Sequence, residues 1–444
     1  MQTTSDNAFQ SHYMPNTPQE RAEMLRVLGL DSVEDLFADI PQEYRNPALS
    51  IPPPMSELEL KAELEALAKT NHDTKSYASF LGAGVYNHFI PSLVSPLINR
   101  GEFLTSYTPY QAEASQGTLQ VAYEFQTMVC NLMGMEVAND GMYEGASSLA
   151  EAALMACRIT GRGDICVLDT VSPTYRQVVE TYARPQGLQV HVLEARNPHL
   201  PEGAACLLAQ YPNYFGYLED LASHKVATHE RDALLVVSTD PIATGMFRPP
   251  GDYGADIVTG EGQGMGVPMS FGGPYVGLFA TRSEYIRQMP GRIVGKTVDT
   301  DGKTGYVLTL QTREQHIRRE RATSNICTSQ ALLALAATIT LATLGKRGLR
   351  QVAELCYHKA HYAASLISRV TGYSLPLKGT FFKEMVVKCP TSPTVINERL
   401  LESSIIGGLD ISHIMPDCML LCVTEMNTRQ EIEALVGALS EFSR

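Results

Sequence analysis

Two short stretches concentrate side chains that could line a small polar pocket. FLGAGVYNHFIP at 80–91 and SYTPYQAEASQG at 106–117 are rich in glycine, proline and polar residues, which predicts loops. Their hydroxyls, amides, imidazole and carboxylate could bind a small polar ligand or a partner chain. Turn formation and tyrosine packing explain the same composition equally well. The candidate pocket or interface residues are Tyr86, Asn87, His88, Tyr107, Tyr110, Glu113 and Gln116.

A second candidate site is the entrance of a helix, in the segment DGMYEGASSLAEAALMA. Residues 145–148 (Gly-Ala-Ser-Ser) would present free N–H groups and the positive end of the helix dipole, which together bind anions such as phosphate. The alternative is a serine N-cap with Glu151 behind it, which requires no ligand.

Two glycine-containing stretches have the wrong spacing for nucleotide motifs. GEGQGMGVPMSFGGPYVG at 260–277 lacks the GxGxxG pattern, and its glycines indicate either a close backbone approach to a ligand or a tightly packed loop. GRIVGKT at 291–297 is one residue short of a phosphate-binding loop, so Lys296 is interpreted as a turn residue.

The segment 311–325, QTREQHIRRERATSN, carries a dense group of cations. Such a group either pairs with carboxylates or phosphates across an interface or forms a solvated basic face. The cations are Arg313, His316, Arg318, Arg319 and Arg321.

The elements that would position these residues form an α/β protein. Short β-rich runs alternate with amphipathic helices from about 75 to 310, which predicts a mainly parallel sheet covered by helices. The strand candidates are ICVLD, VHVLE, ACLLAQ, LLVVS, DIVT and YVGLFA. A helix is predicted from Gln116 to Met133, ended by Gly134.

Three regions follow from this pattern: a helical arm at 1–70, a large α/β domain at 71–327, and a connecting helix with a small α+β domain at 328–444. Capping boxes at Thr17/Glu20 and Ser56/Glu59 predict two helices in the arm, the second with a buried stripe at Leu60, Leu64 and Leu67. We expect the arm to wrap a neighbouring chain. In the small domain, FFKEMVVKC and MLLCV are predicted strands.

Bulk composition excludes several functional classes. The 444 residues have a formal net charge of −13, which disfavours nucleic-acid binding. The nine cysteines include no CxxC pair, and no apolar run reaches the length of a membrane-spanning helix. The sequence therefore predicts a soluble, reduced, cytoplasmic protein without a metal site.

Five stretches taken together closely resemble the N-terminal portion of the glycine decarboxylase P-protein family. They are FLGAGVYNHFIP, SYTPYQAEASQGTLQVAYEFQTMVCNLMGMEVAN, GQGMGVPMSFGGPYVGLFA, MPGRIVGKT and QTREQHIRRERATSNICTSQALLA. The resemblance spans nearly the whole chain, and the chain length is similar to the first subunit of the two-chain bacterial form.

The resemblance implies a fold-type-I pyridoxal-phosphate (PLP) transferase architecture, similar to aspartate aminotransferase, without the lysine that forms the Schiff base. Gln263 or Gly264 stands at that position, after DIVT, so no catalytic residue is assigned. The only lysines expected near sheet ends are Lys225 and Lys296. Asp240, which could pair with a pyridine nitrogen, and Ser147 and Ser148, in the phosphate cradle, would be vestigial together with Gln263.

The resemblance also implies that PLP is held by the partner subunit and not by this chain alone. The expected assembly is an α2β2 heterotetramer with P-protein subunit 2. It would decarboxylate glycine and pass the aminomethyl group to the lipoyl group of H-protein, with no nucleic-acid or membrane partner. Two alternatives stay open: an independent PLP enzyme that uses an unusual lysine such as Lys296, and a purely structural assembly subunit.

Overall fold

The computed structural model describes residues 16–45, 47–48 and 50–442. The chain divides into two compact units, residues 1–71 and 72–444.

The first unit contains two capped helices, α1 (Pro18–Leu28) and α2 (Glu57–Ala68). Both predicted capping boxes are confirmed, with Thr17 and Ser56 as N-caps, and Gly29 ends α1 in the left-handed conformation. The prediction of a buried stripe on α2 is wrong, because Leu60, Leu64 and Leu67 are each about half exposed. No described residue of the first unit is buried, so α2 has no core within its own unit to pack against.

The second unit holds the remaining elements. Its helices are α3 (Val94–Ile98), α4 (Gly101–Leu104), α5 (Gln116–Met133), α6 (Gly145–Thr160), α7 (Pro173–Ala183), α8 (Leu221–His229), α9 (Gln315–Arg318), α10 (Ala331–Ile367), α11 (Pro393–Glu402) and α12 (Arg429–Ser440). Its strands are β1 (Ala78–Ser79), β2 (Val137–Ala138), β3 (Asp164–Leu168), β4 (Gln189–Leu193), β5 (Ala204–Tyr211), β6 (Leu234–Thr239), β7 (Ile257–Glu261), β8 (Gly277–Thr281), β9 (Ile293–Val298), β10 (Thr304–Thr309), β11 (Glu384–Lys388), β12 (Ile405–Ile406), β13 (Leu409–Asp410) and β14 (Cys418–Cys422).

The central sheet has seven strands in the order β2-β8-β7-β6-β5-β3-β4. Strands β3 to β7 pair in parallel, whereas β8 pairs antiparallel with β7 and β2 pairs antiparallel with β8. All six predicted strands of this sheet are present. Strands β5 and β6 are almost wholly buried because helices such as α6 cover the sheet, as expected for a mainly parallel arrangement.

A second core is formed by the C-terminal part of α10 with β11, α11, β14 and α12, which together we call the small domain. Strands β11, β14 and β13 form an antiparallel sheet, and β1 pairs with β12, so the small domain also uses residues from early in the chain. Phe80 is buried in this core beside the strand residues.

Helix α10 connects the two cores and is interrupted at Gly345 (φ 59°, ψ −177°). Leu349 packs in the large core and Ile367 in the small one. By length and composition alone α10 could cross a membrane, but these contacts are those of a core helix.

Candidate functional site

A cavity opens at the carboxyl ends of the parallel strands, the usual ligand position in open α/β sheets. Tyr211, Thr239 and Gly260 lie side by side where β5, β6 and β7 end. The cavity has a volume of about 50 Å³, room for only a few water molecules. Its lining includes Tyr86, Tyr175, Asp240, Glu261, Lys383 and Glu384.

Lys383 fills one end of this cavity from the small domain. Its Nζ lies 2.7 Å from Asp240 Oδ2, 2.9 Å from His88 Nε2 and 3.4 Å from the centre of the Tyr86 ring. Only 2% of the residue is exposed. Desolvation lowers the pKa of Lys383, but Asp240 and neighbouring thiols raise it by more, so the net pKa lies above its ordinary value. The amine is therefore a cation at neutral pH and a poor nucleophile.

A buried chain of hydrogen bonds continues from Lys383. Because an ammonium can only donate, Nε2 of His88 accepts from Lys383 at 2.9 Å and the Nδ1–H of His88 donates to Glu425 Oε2 at 2.7 Å. Cys356 Sγ donates to the same oxygen at 3.3 Å, and the backbone N–H of Phe89 donates to Oε1 at 2.7 Å. The ligand atoms of His88, Cys356 and Glu425 lie within 4.8 Å of one another, a grouping that could hold a metal ion. Mutual hydrogen bonds already satisfy them.

Tyr86 and Glu384 form the neighbouring wall. The Tyr86 hydroxyl donates to Glu384 Oε2 at 2.9 Å, and the Ala83 N–H donates to Oε1 at 2.6 Å. Burial raises the pKa of Glu384 to about 7, against the opposing effect of the Ala83 hydrogen bond and of Lys383.

Gln263 occupies the turn that follows β7. Its Oε1 accepts from the Tyr86 N–H at 2.9 Å, and its Nε2 donates to the carbonyls of Tyr86 (3.0 Å) and Val267 (2.9 Å). A Cβ on Gly264 would lie 2.8 Å from the His88 ring. The amide thus fixes the 80–91 loop against the end of the sheet.

Two carboxyl groups occupy the entrance of α6. Glu144, not a serine, is the N-cap: its carboxylate accepts from the Ser147 N–H at 3.1 Å and from Ser147 Oγ at 2.6 Å. Glu261 Oε2 accepts from the Gly145 N–H at 2.9 Å. Burial raises the pKa of Glu261 to about 7, and Glu144 contributes in the same direction. The alternative of a serine N-cap is wrong, because the Glu144 side chain accepts the hydrogen bond from the Ser147 N–H that caps the helix. Glu151 is buried farther along the helix.

The residues present do not fit pyridoxal phosphate. That cofactor requires a free lysine amine, an acid for its ring nitrogen and free N–H donors for its phosphate. Here Lys383 is the only lysine among the described residues that line the cavity, and it is bound to the acid, Asp240. The carboxyl groups of Glu261 and Glu144 accept two of the helix donors, the N–H groups of Gly145 and Ser147.

The remaining loop candidates lie apart from this cavity. Tyr107 (76% exposed) contacts Thr328 through its hydroxyl, and Tyr110 packs edge-on against His316 at 5.3 Å. Glu113 is exposed. Asn87 and Gln116 have structural contacts. The Asn87 carbonyl accepts from the Thr424 hydroxyl, and the Gln116 amide donates to the Tyr306 carbonyl and accepts from the Tyr306 N–H.

The expectation that Lys225 and Lys296 are the only lysines near the sheet ends is wrong, because Lys383 lines the cavity where the parallel strands end. Lys225 pairs with Asp256 at 2.8 Å, before β7 begins and therefore at the amino end of that strand. Lys296 lies on β9, opposite Tyr306, and not in a turn. Sequence reasoning missed Lys383 because it precedes a small-domain strand, far along the chain from β6.

The basic segment divides into a buried and an exposed part. Arg313 is buried and donates to the carbonyls of Met289 and Gly291. Arg318, Arg319 and Arg321 are exposed.

Comparison with known proteins agrees with this architecture. The family model described as glycine cleavage system P-protein matches residues 11–439. A Thermomicrobium roseum protein named "probable glycine dehydrogenase (decarboxylating) subunit 1" is 52% identical over 97% of this chain and 99% of its own length. A Desulforamulus reducens protein of the same name is 48% identical over 97% and 100%.

Solved structures show the same fold. A glycine decarboxylase (P-protein) of the glycine cleavage system, in inhibitor-bound form, superposes with a TM-score of 0.91 at 42% identity, covering 97% of this chain and all of that one. A Burkholderia pseudomallei sphingosine-1-phosphate lyase superposes at 0.62 with 14% identity, over 90% and 94% of the two chains, and shows the fold alone. The matches over nearly the full length place this chain in the glycine cleavage system P-protein family.

Proposed function

We propose that this chain is the supporting subunit of a glycine decarboxylase, the half that does not hold the cofactor. The complex decarboxylates glycine and transfers the aminomethyl group to the lipoyl group of H-protein, with pyridoxal phosphate in the partner subunit. The observation that carries the proposal is the contact of the lysine that lines the described cavity: Lys383 binds Asp240 at 2.7 Å, while an amide, Gln263, follows β7. The printed name "subunit 1" of the relatives supports a second subunit.

The surface around Tyr110 is our candidate for contact with the partner. We define the 107–110 surface by Tyr107, Tyr110, His316 and Thr328, which contact one another in pairs. Beneath it Arg292 lies 5.7 Å from the Tyr110 ring and 3.7 Å from Glu314. The buried polar atoms Asp140 Oδ1, Arg292 Nε and Glu314 Oε1 have no hydrogen-bond partner within the described residues. Exposed aromatic rings above buried polar atoms that lack hydrogen-bond partners are typical of a surface that a partner completes.

The assembly proposed is α2β2, with the lipoyl carrier as acceptor. The nine cysteines, all within the described residues, are free thiols, which supports a reducing, cytoplasmic location. A purely structural role for the chain and an independent PLP enzyme are the competing functions.

The test replaces Tyr110 by Phe and Glu113 by Gln in the reconstituted complex. We expect lower glycine decarboxylation without dissociation of the subunits, because the substitutions change only polar groups of this surface and its adjoining loop. The matched control is Tyr362→Phe with Glu433→Gln, a pair in the small domain in which the hydroxyl of the half-buried Tyr362 donates to the exposed Glu433 at 2.8 Å. Unchanged activity of the first variant would remove the 107–110 surface from the active site and favour the purely structural role.

A further inference from the structure

The cavity holds its own charges at both ends. At one end the Lys383 ammonium binds Asp240, which directly follows β6 of the large domain. The same ammonium binds His88 of the 80–91 loop and lies over the Tyr86 ring. One side chain thus joins the small domain, the large domain and the loop.

At the other end Glu261 lines the cavity and accepts the Gly145 N–H at the start of α6, while Glu144 caps the same helix through the Ser147 N–H. Close approach is required here, because a Cβ on Gly145 would lie 2.5 Å from the Tyr175 hydroxyl and 3.0 Å from Glu261 Cβ. Bound pyridoxal phosphate would likewise set its ring nitrogen beside an acid and its phosphate at a helix N-terminus, the two places that the Lys383 amine and these carboxyl groups occupy here.

We propose that Lys383 replaces the ring cation, and that Glu144 and Glu261 replace the phosphate, so that the pocket stays closed and folded without a cofactor. This inference goes beyond the proposed function because it concerns the isolated chain and needs neither partner nor activity. It also explains the side chains retained in the pocket: Asp240, nearly buried at 16% side-chain exposure, would be an uncompensated charge without Lys383.

The first test is chemical rescue of Lys383→Ala in the purified full chain, followed by thermal unfolding. Loss of the buried partner should lower Tm by about 3–5 °C. Ethylammonium chloride should then raise the Tm of the variant saturably and well beyond its effect on the wild type, whereas sodium chloride at equal ionic strength should not. Lys378→Ala, which removes an exposed lysine of the same domain, is the matched control and should show neither effect. An unchanged Tm of Lys383→Ala, or a destabilised variant without amine rescue, would overturn the cation half.

A second variant tests the same charge pair if Lys383→Ala does not fold. Replacing both charges, as Lys383→Met with Asp240→Asn, should yield a folded chain that is more stable than either single variant. If the double variant is no better than the single ones, the pair is not a charge replacement. The anion half is tested by Glu261→Ala with acetate against chloride: saturable stabilisation by acetate is expected, and its absence contradicts that half.

Discussion

Replacing Gln263 by Leu tests the reasoning that this amide holds the 80–91 loop on the sheet. Leucine has a similar size but can neither accept from the Tyr86 N–H nor donate to the carbonyls of Tyr86 and Val267. Gln263 is 2% exposed, so water would have little access to these backbone groups after they lose their hydrogen-bond partners. Each buried group left without a hydrogen bond costs about 1–3 kcal/mol. Allowing for water entry at the loop, we expect the free energy of unfolding to fall by about 3–5 kcal/mol.

The assay is urea unfolding of the purified chain with linear extrapolation to water. The matched control is Gln120→Leu, since Gln120 is exposed and donates only to the Glu124 side chain at 2.8 Å. It should change stability by less than about 0.5 kcal/mol. A loss below about 1 kcal/mol for Gln263→Leu would refute the reasoning, because it would mean that those backbone groups find other partners.

Two further predictions concern the pocket wall. The folded-state pKa of Glu384 is raised from its ordinary 4.5 to about 7, so the folded state binds the extra proton and the stability from this group is lost as pH rises through 7. Between pH 4.5 and 7 the wild type should lose up to about 3 kcal/mol relative to Glu384→Gln, measured by urea unfolding at each pH; parallel pH profiles would contradict this. Gly216→Ala should lower the free energy of unfolding by more than about 2 kcal/mol, because φ of Gly216 is 90° and a Cβ there would lie 2.1 Å from the Glu384 carbonyl. The control Gly437→Ala, which has open space in helix α12, should be neutral or stabilising. Equal unfolding midpoints for the two variants would contradict the close approach at Gly216.

Elements specified by local sequence could be predicted closely. Helix α5 begins and ends at the predicted residues, and both capping boxes form, because periodicity and capping depend on neighbours a few positions apart. The six sheet strands follow from the same kind of pattern.

The centre of the site could not be predicted in this way. Lys383 and His88 are 295 positions apart, and His88 and Glu425 are 337 apart, so their contact depends on how the small domain returns to the sheet. Lys296 was misplaced for a different reason: GRIVGKT resembles a phosphate-binding loop that is one residue short, which indicated a turn, but the segment pairs as a strand with β10.

The absorbance spectrum of the purified chain, after incubation with pyridoxal phosphate and removal of the excess, shows whether this chain holds the cofactor by itself. We expect no visible Schiff-base band for the chain alone, since the Lys383 ammonium is bound to Asp240 and an amide follows β7. We expect a band once the second subunit is added. A stable band from the chain alone, fixed to a lysine by borohydride, would contradict the first expectation.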